Sequence, residues 1–261
     1  MTEHKTLKNL PNNTRFYILA TSGLLSLATT ALLRLSIQSD QLFSIRLEQF
    51  FGLFSVLFLY VALVISPLTK AVGKRFWVPY VIFARRAVGV SAAYFATLHV
   101  LVALWGQIGG LSELALLPTF FKWSFALGAI AFVVLFAMAV TSLDKVIKFM
   151  TLPRWLILHR LVYFGSVFII LHVWMVGTHI SYMGVRVAAF IALLVFVGLE
   201  SHRVSLTLDA RYKLFGNQQR RFLFFIALWL LWMAPVILLP RFVDNYHSAH
   251  HDSTGGHGAG H

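Results

Sequence analysis

The chain has 261 residues, 59% of them hydrophobic and only 12% charged, whereas soluble domains carry about a quarter charged residues; this composition excludes a water-soluble enzyme or binding module. The formal net charge of +13 does not point to nucleic acid, because the basic residues lie between apolar blocks and are not gathered on one polar face. Cysteine is absent, which removes disulfides, iron–sulfur clusters and thiolate metal sites and leaves the 11 histidines as the strong metal ligands.

In chain order, residues 1–15 form a polar segment read as cytoplasmic and irregular. Apolar blocks follow, close to the roughly 20 residues that an α-helix needs to cross a hydrocarbon core of about 30 Å. They run Phe16–Leu35, Phe50–Leu68, Ala87–Ile108, Phe120–Thr141, Trp155–Thr178, Tyr182–Leu199 and Phe222–Leu239. The expected fold is therefore all-α, a polytopic membrane bundle of about seven transmembrane helices across residues 16–240. The first block is too long, and too polar in its middle (Thr21, Ser22, Ser26, Thr29, Thr30), for a cleaved signal peptide. Pro67, Pro118, Pro153 and Pro240 are expected to mark span ends. Trp77 and Trp155 fall near one interface and Trp105, Trp123 and Trp174 near the other. Residues 241–261 change character, with four glycines among five histidines, and are read as a flexible extracytoplasmic tail suited to loose metal capture.

Charge orients these spans. Alternate connections hold Lys5, Lys8 and Arg15, then Lys70, Lys74, Arg75, Arg85 and Arg86, then Lys145, Lys148, Arg154 and Arg160, then Arg203, Arg211, Lys213, Arg220 and Arg221. The other side holds Arg34, Arg46, Lys122, Arg186 and Arg241. The positive-inside rule then puts the N-terminus in the cytoplasm. The basic loops reach only about 15 to 22 residues, too short for a nucleotide- or flavin-binding domain.

Three histidines fall inside apolar blocks, where an ionisable group is costly unless it pairs with or binds something. His99 has no charged residue on its helix between Arg86 and Glu113, and His172 has none after Arg160 in its span. At 1.5 Å per residue, His99 lies about 20 Å outward from Arg86, and His172 about 26 Å from Trp155. This shared depth favours them as a pair, and two imidazoles from different helices can hold a haem iron from both faces. His159 lies only about 6 Å along from Trp155, and its 13-residue step to His172 turns an ideal helix by about 220°. It faces a second site nearer the cytoplasm or caps its helix beside Arg160. His179, one heptad beyond His172, lines an electron exit path, holds a substrate metal or is an ordinary interfacial histidine.

The run Arg85-Arg86-Ala87-Val88-Gly89-Val90, then Tyr94-Phe95-Ala96-Thr97-Leu98-His99, then Thr141-Ser142, Arg154 to Tyr163 and Leu171-His172 resembles the ferric reductase-like transmembrane domain over about residues 47–178. Within that family it is nearest to the haem-binding membrane subunits of bacterial periplasmic methionine sulfoxide reductase systems. The resemblance implies b-type haem, one or two, held by His99 and His172, with His159 as a further haem-associated position. It implies electrons taken from a cytoplasmic flavin reductase carrying FMN or FAD and passed to a periplasmic oxidoreductase or a metal ion, in the bacterial inner membrane. Arg85 and Arg86 would suit haem propionates or a flavin phosphate, or anchor the inner face. Related ferric reductases and NADPH oxidases carry two haem histidines on each of two helices; here the third span carries His99 alone. The competing reading is a divalent-metal transporter with membrane histidines along its path. Such a path usually draws on carboxylates near the midplane, and the acidic residues are expected at span ends, in loops or in the terminal segments.

Overall fold

A computed structural model describes the backbone of residues 2–73, 75–176, 183–213 and 217–231, and the side chains of all of these except 2–12 and 152. Its helices are α1 (Thr2–Ser36), α2 (Asp40–Val72), α3 (Val78–Leu101), α4 (Thr119–Thr141), the short α5 (Asp144–Phe149), α6 (Leu152–Val176) and α7 (Met183–Tyr212). A π-helical turn, Val102–Ile108, prolongs α3, and a 3-10 turn, Ser112–Leu116, leads into α4. Residues 218–231 are helical, and no strand occurs among the described residues. Among the described residues, six helices are long and apolar enough to cross a membrane: Asn13–Ser36, Asp40–Val72, Val78–Ile108, Thr119–Thr141, Pro153–Val176 and Met183–Tyr212. The chain is thus an all-α polytopic helical bundle. Of the expected seventh span, residues 222–231 are helical; its remainder, His179 and the tail 241–261 lie outside the described residues.

Several boundaries differ from expectation for local reasons. The polar start of the chain is helical from Thr2 and runs directly into the first span. The second helix begins ten residues before Phe50, because the Ser39 side chain caps it by accepting the Leu42 N–H at 3.4 Å and Arg34 holds Asp40 at 2.6 Å. At the other end, α2 continues through Pro67 and stops at Gly73, whose φ of 74° suits glycine. Proline removes one helical donor, and the neighbouring Ala62 carbonyl accepts from Arg85 Nε at 2.9 Å.

The chain divides into two compact units after His172. In the first, α3 packs against α1, α2 and α4. Phe95, fully buried, meets Phe51, Phe54 and Phe58 of α2 at ring-centre distances of 6.1, 5.2 and 5.4 Å. These contacts fix the register of α2 on α3, and because residues four apart share a helix face, they also turn His99 toward α2. The polar middle of α1 faces α3: Ser22 donates to Ser91 Oγ at 2.8 Å, and Ser26 shares a 2.8 Å bond with the Tyr94 hydroxyl. Small hydroxyls of this kind let membrane helices approach closely and join them where the hydrophobic effect gives no drive.

In the second unit, residues 218–231 run back beside α7, with Arg221 3.4 Å from Asp209 and the His202 and Phe225 rings 6.3 Å apart. Glu200, expected at a span end, is instead buried at 2% exposure and paired with Arg203 one turn on.

Candidate functional site

His99 of α3 and His172 of α6 meet with ring centres 6.2 Å apart and ring planes at 82°. Each is held from behind by a helix that carries no histidine of its own. His172 Nδ1 lies 2.8 Å from the Ser124 carbonyl and 3.1 Å from the Ser124 hydroxyl on α4. His99 Nδ1 lies 3.1 Å from the Glu48 carbonyl and 3.1 Å from Glu48 Oε1 on α2. A carbonyl can only accept, so each contact requires the proton on Nδ1, and in the neutral ring Nε2 is then the free lone pair. A donor Nδ1 held in this way is the arrangement in which an imidazole can offer Nε2 to a metal.

Space for the rings comes from two glycines. A Cβ on Gly52 of α2 would stand 2.9 Å from His99 Nδ1, and one on Gly128 of α4 would stand 3.0 Å from His172 Nδ1 and Cε1. Ring and backbone therefore touch on both sides, and any side chain at either position displaces its histidine.

Glu48 is expected at a span end, yet α2 starts at Asp40 and places it about two turns inside the helix, against His99. Its second oxygen, Oε2, accepts from Gln107 Nε2 at 3.1 Å, a residue of the π-helical turn that follows His99. Such widened turns recur at functional sites.

His159 sits apart from this pair, about 20 Å along α6 from His172. Its ring lies 3.9 Å from that of Trp155, inclined by 31°, and its buried Nε2 has no hydrogen-bond partner among the described residues. Arg85 is engaged with Ala62. Arg86 pairs with Asp144 at 2.6 Å, and Arg15 lies 3.6 Å from the same carboxylate, so α1, α3 and α5 are tied at one end of the bundle. The hydrogen bond and charge of Arg86, with smaller help from Arg15 and Lys148, hold the Asp144 carboxyl below its usual pKa.

Residues 49–170 match the family model described as ferric reductase like transmembrane component. The chain is also similar to proteins named protein-methionine-sulfoxide reductase heme-binding subunit MsrQ. The one from Bordetella parapertussis is 32% identical over 124 residues, which is 47% of this chain and 57% of that protein. Those from Ralstonia nicotianae and Herminiimonas arsenicoxydans are 31% and 34% identical over 125 residues, each match covering 47% of this chain and 55% of the relative. The matches thus span little more than half the length of these relatives. No solved structure matches the chain. The matched segment begins one residue after Glu48, contains His99 and His159, and stops two residues before His172. This chain is a multi-pass protein of the bacterial inner membrane whose residues 49–170 are similar to the ferric reductase-like transmembrane family.

Proposed function

We propose that the chain binds a b-type haem between His99 and His172 and carries electrons outward across the membrane. The separation of the two rings is the observation that supports this most directly. An imidazole nitrogen bonds a transition metal at about 2.0–2.1 Å and lies about 1.1 Å from its own ring centre, so imidazoles on opposite sides of one metal have centres about 6.3 Å apart. The observed 6.2 Å fits a single metal between the rings. Two protein ligands leave four positions to be filled from elsewhere, as the haem macrocycle does. A bare divalent ion is served less well, because among the described residues no group of three or more His, Cys, Asp or Glu side chains gathers to hold one. Covalent attachment through a CxxCH motif needs cysteine, and the chain has none.

Haem bound here supplies a one-electron couple within the low-dielectric layer. The protein's own part is to hold it: His99 and His172 ligate, Glu48 and Ser124 fix their tautomers, Gly52 and Gly128 give the rings room, and the Phe95 cluster excludes water on one side. His159, with its unpartnered Nε2, is the candidate for a second haem nearer the cytoplasm. Arg85 and Arg86 brace the helices at that end, beside any propionate or flavin phosphate. The relatives' name, a heme-binding subunit of a methionine sulfoxide reductase, supports an extracytoplasmic oxidoreductase as acceptor, with His179 and the tail histidines on the exit side for a metal ion. A cytoplasmic flavin reductase with FMN or FAD is the donor in this reading.

Proteoliposomes test it. With ferricyanide trapped inside and dithionite added outside, haem-loaded protein is expected to bleach the trapped dye, while His99→Ala vesicles behave as protein-free ones. An NADH-fed flavin reductase should replace dithionite on the vesicles' donor side. Bleaching no faster with the protein than without it would overturn the conduit reading.

A further inference from the structure

The two histidines are alike in their glycine and carbonyl contacts, but differ in charge. Ser124 offers His172 a neutral carbonyl and a neutral hydroxyl. Glu48 offers His99 a carboxylate oxygen as well as its carbonyl, both at 3.1 Å from Nδ1. A carboxylate inside a span is costly and therefore marks a function. Both its oxygens are committed, Oε1 to His99 and Oε2 to the Gln107 amide. The glutamate is thus held in place against the ring, its Oε1 accepting from the His99 Nδ1–H.

Building on the haem reading above, we propose that Glu48 is a positioning residue that sets the reduction potential of the haem through His99. A charged acceptor draws the Nδ1 proton more strongly than a carbonyl does, which raises electron density at Nε2 and makes the ligand more basic. A more basic ligand, with a negative charge one ring away, stabilises ferric over ferrous iron because the oxidised centre carries one more positive charge. The haem becomes a stronger donor for the outward step. Gln107 moderates the effect by sharing the carboxylate's charge, and the π-helical turn that carries it belongs to the same device.

The test is a potentiometric titration of the purified full-length chain, read from its absorption bands. Glu48→Gln keeps an acceptor for His99 but removes the charge. It is expected to retain haem and low-spin bands while the ferrous-to-ferric ratio at a fixed poise rises at least about tenfold, or 59 mV for one electron. Glu48→Asp should return the ratio to within about threefold of the parent, and Asp40→Asn, the carboxylate that pairs with Arg34 at the start of α2, should leave it within about twofold. Haem retained in Glu48→Gln with a ratio within about threefold of the parent would overturn the proposal. Should that variant lose haem, Gln107→Leu decides: the undivided carboxylate then pulls harder on His99, so the ratio is expected to fall by about threefold or more, and an unchanged or raised ratio overturns the proposal. A parent protein that takes up no haem would instead remove the haem reading on which the assignment stands.

Discussion

Single side chains decide whether two helices can present a ligand pair, and here the smallest ones decide as much as the histidines. Gly52→Ala and Gly128→Ala would put a methyl group 2.9 and 3.0 Å from a histidine ring atom, so tight that the ring must shift to make room. Each is expected to weaken haem retention about tenfold or more, the usual size for losing a ligand's orientation, measured as haem per chain during dilution and washing. The ring planes stand at 82°, and near-perpendicular imidazoles give ferric haem a strongly anisotropic low-spin electron paramagnetic resonance signal. Such a signal is expected; the ordinary rhombic spectrum of parallel imidazoles would contradict the geometry. At this scale the sequence was readable in part. Depth along two apolar spans brings His99 and His172 to one level, and the structure sets their rings 6.2 Å apart. Gly52, Gly128, Ser124 and Glu48 carried no such signal, because each acts from a neighbouring helix whose register no linear pattern reveals.

Helices meet here through hydroxyls and ion pairs as much as through apolar packing. The polar middle of α1 reads in sequence only as an oddity within an apolar block. Its meaning comes from Ser91 and Tyr94 on α3, which receive Ser22 and Ser26. Replacing both serines by alanine is expected to lower stability in detergent by about 0.6 kcal/mol for each, the mean measured for membrane hydrogen bonds, seen as a fall in unfolding midpoint. Asp144 binds α5 to Arg86 and Arg15, and its pKa is depressed in the fold. A carboxylate depressed in this way stabilises the folded state above its unfolded pKa of about 3.9 and loses that contribution as pH falls through the lower folded value. Thermal unfolding of the parent should therefore drop more steeply on acidification below about pH 4 than that of Asp144→Asn. Parallel curves would show that the pair contributes nothing. The early start of α2 was illegible for a different reason: a cap at Ser39 and an ion pair at Asp40 extend the helix through polar residues that hydropathy excludes.

At the scale of the whole molecule, composition and block length give about seven spans, and among the described residues six membrane-length helices are present, with ends shifted by caps and by a proline that the second span absorbs. The side on which each loop lies rests on the distribution of lysine and arginine, and with it the proposed outward direction of electron flow. Removal of residues 244–261 is expected to leave the haem spectrum and potential unchanged, because both proposed ligands and their supports lie within residues 48–172. The measurement that bears most directly on the account is the absorption spectrum of detergent-purified protein, air-oxidised and then dithionite-reduced, with a pyridine haemochrome assay on the parent, His99→Ala and His172→Ala. The expected result is sharp low-spin b-haem bands in the parent and loss of most haem from each variant. A parent that stays colourless after haem supplementation, or haem fully retained in both variants, would contradict the assignment of His99 and His172 as its ligands.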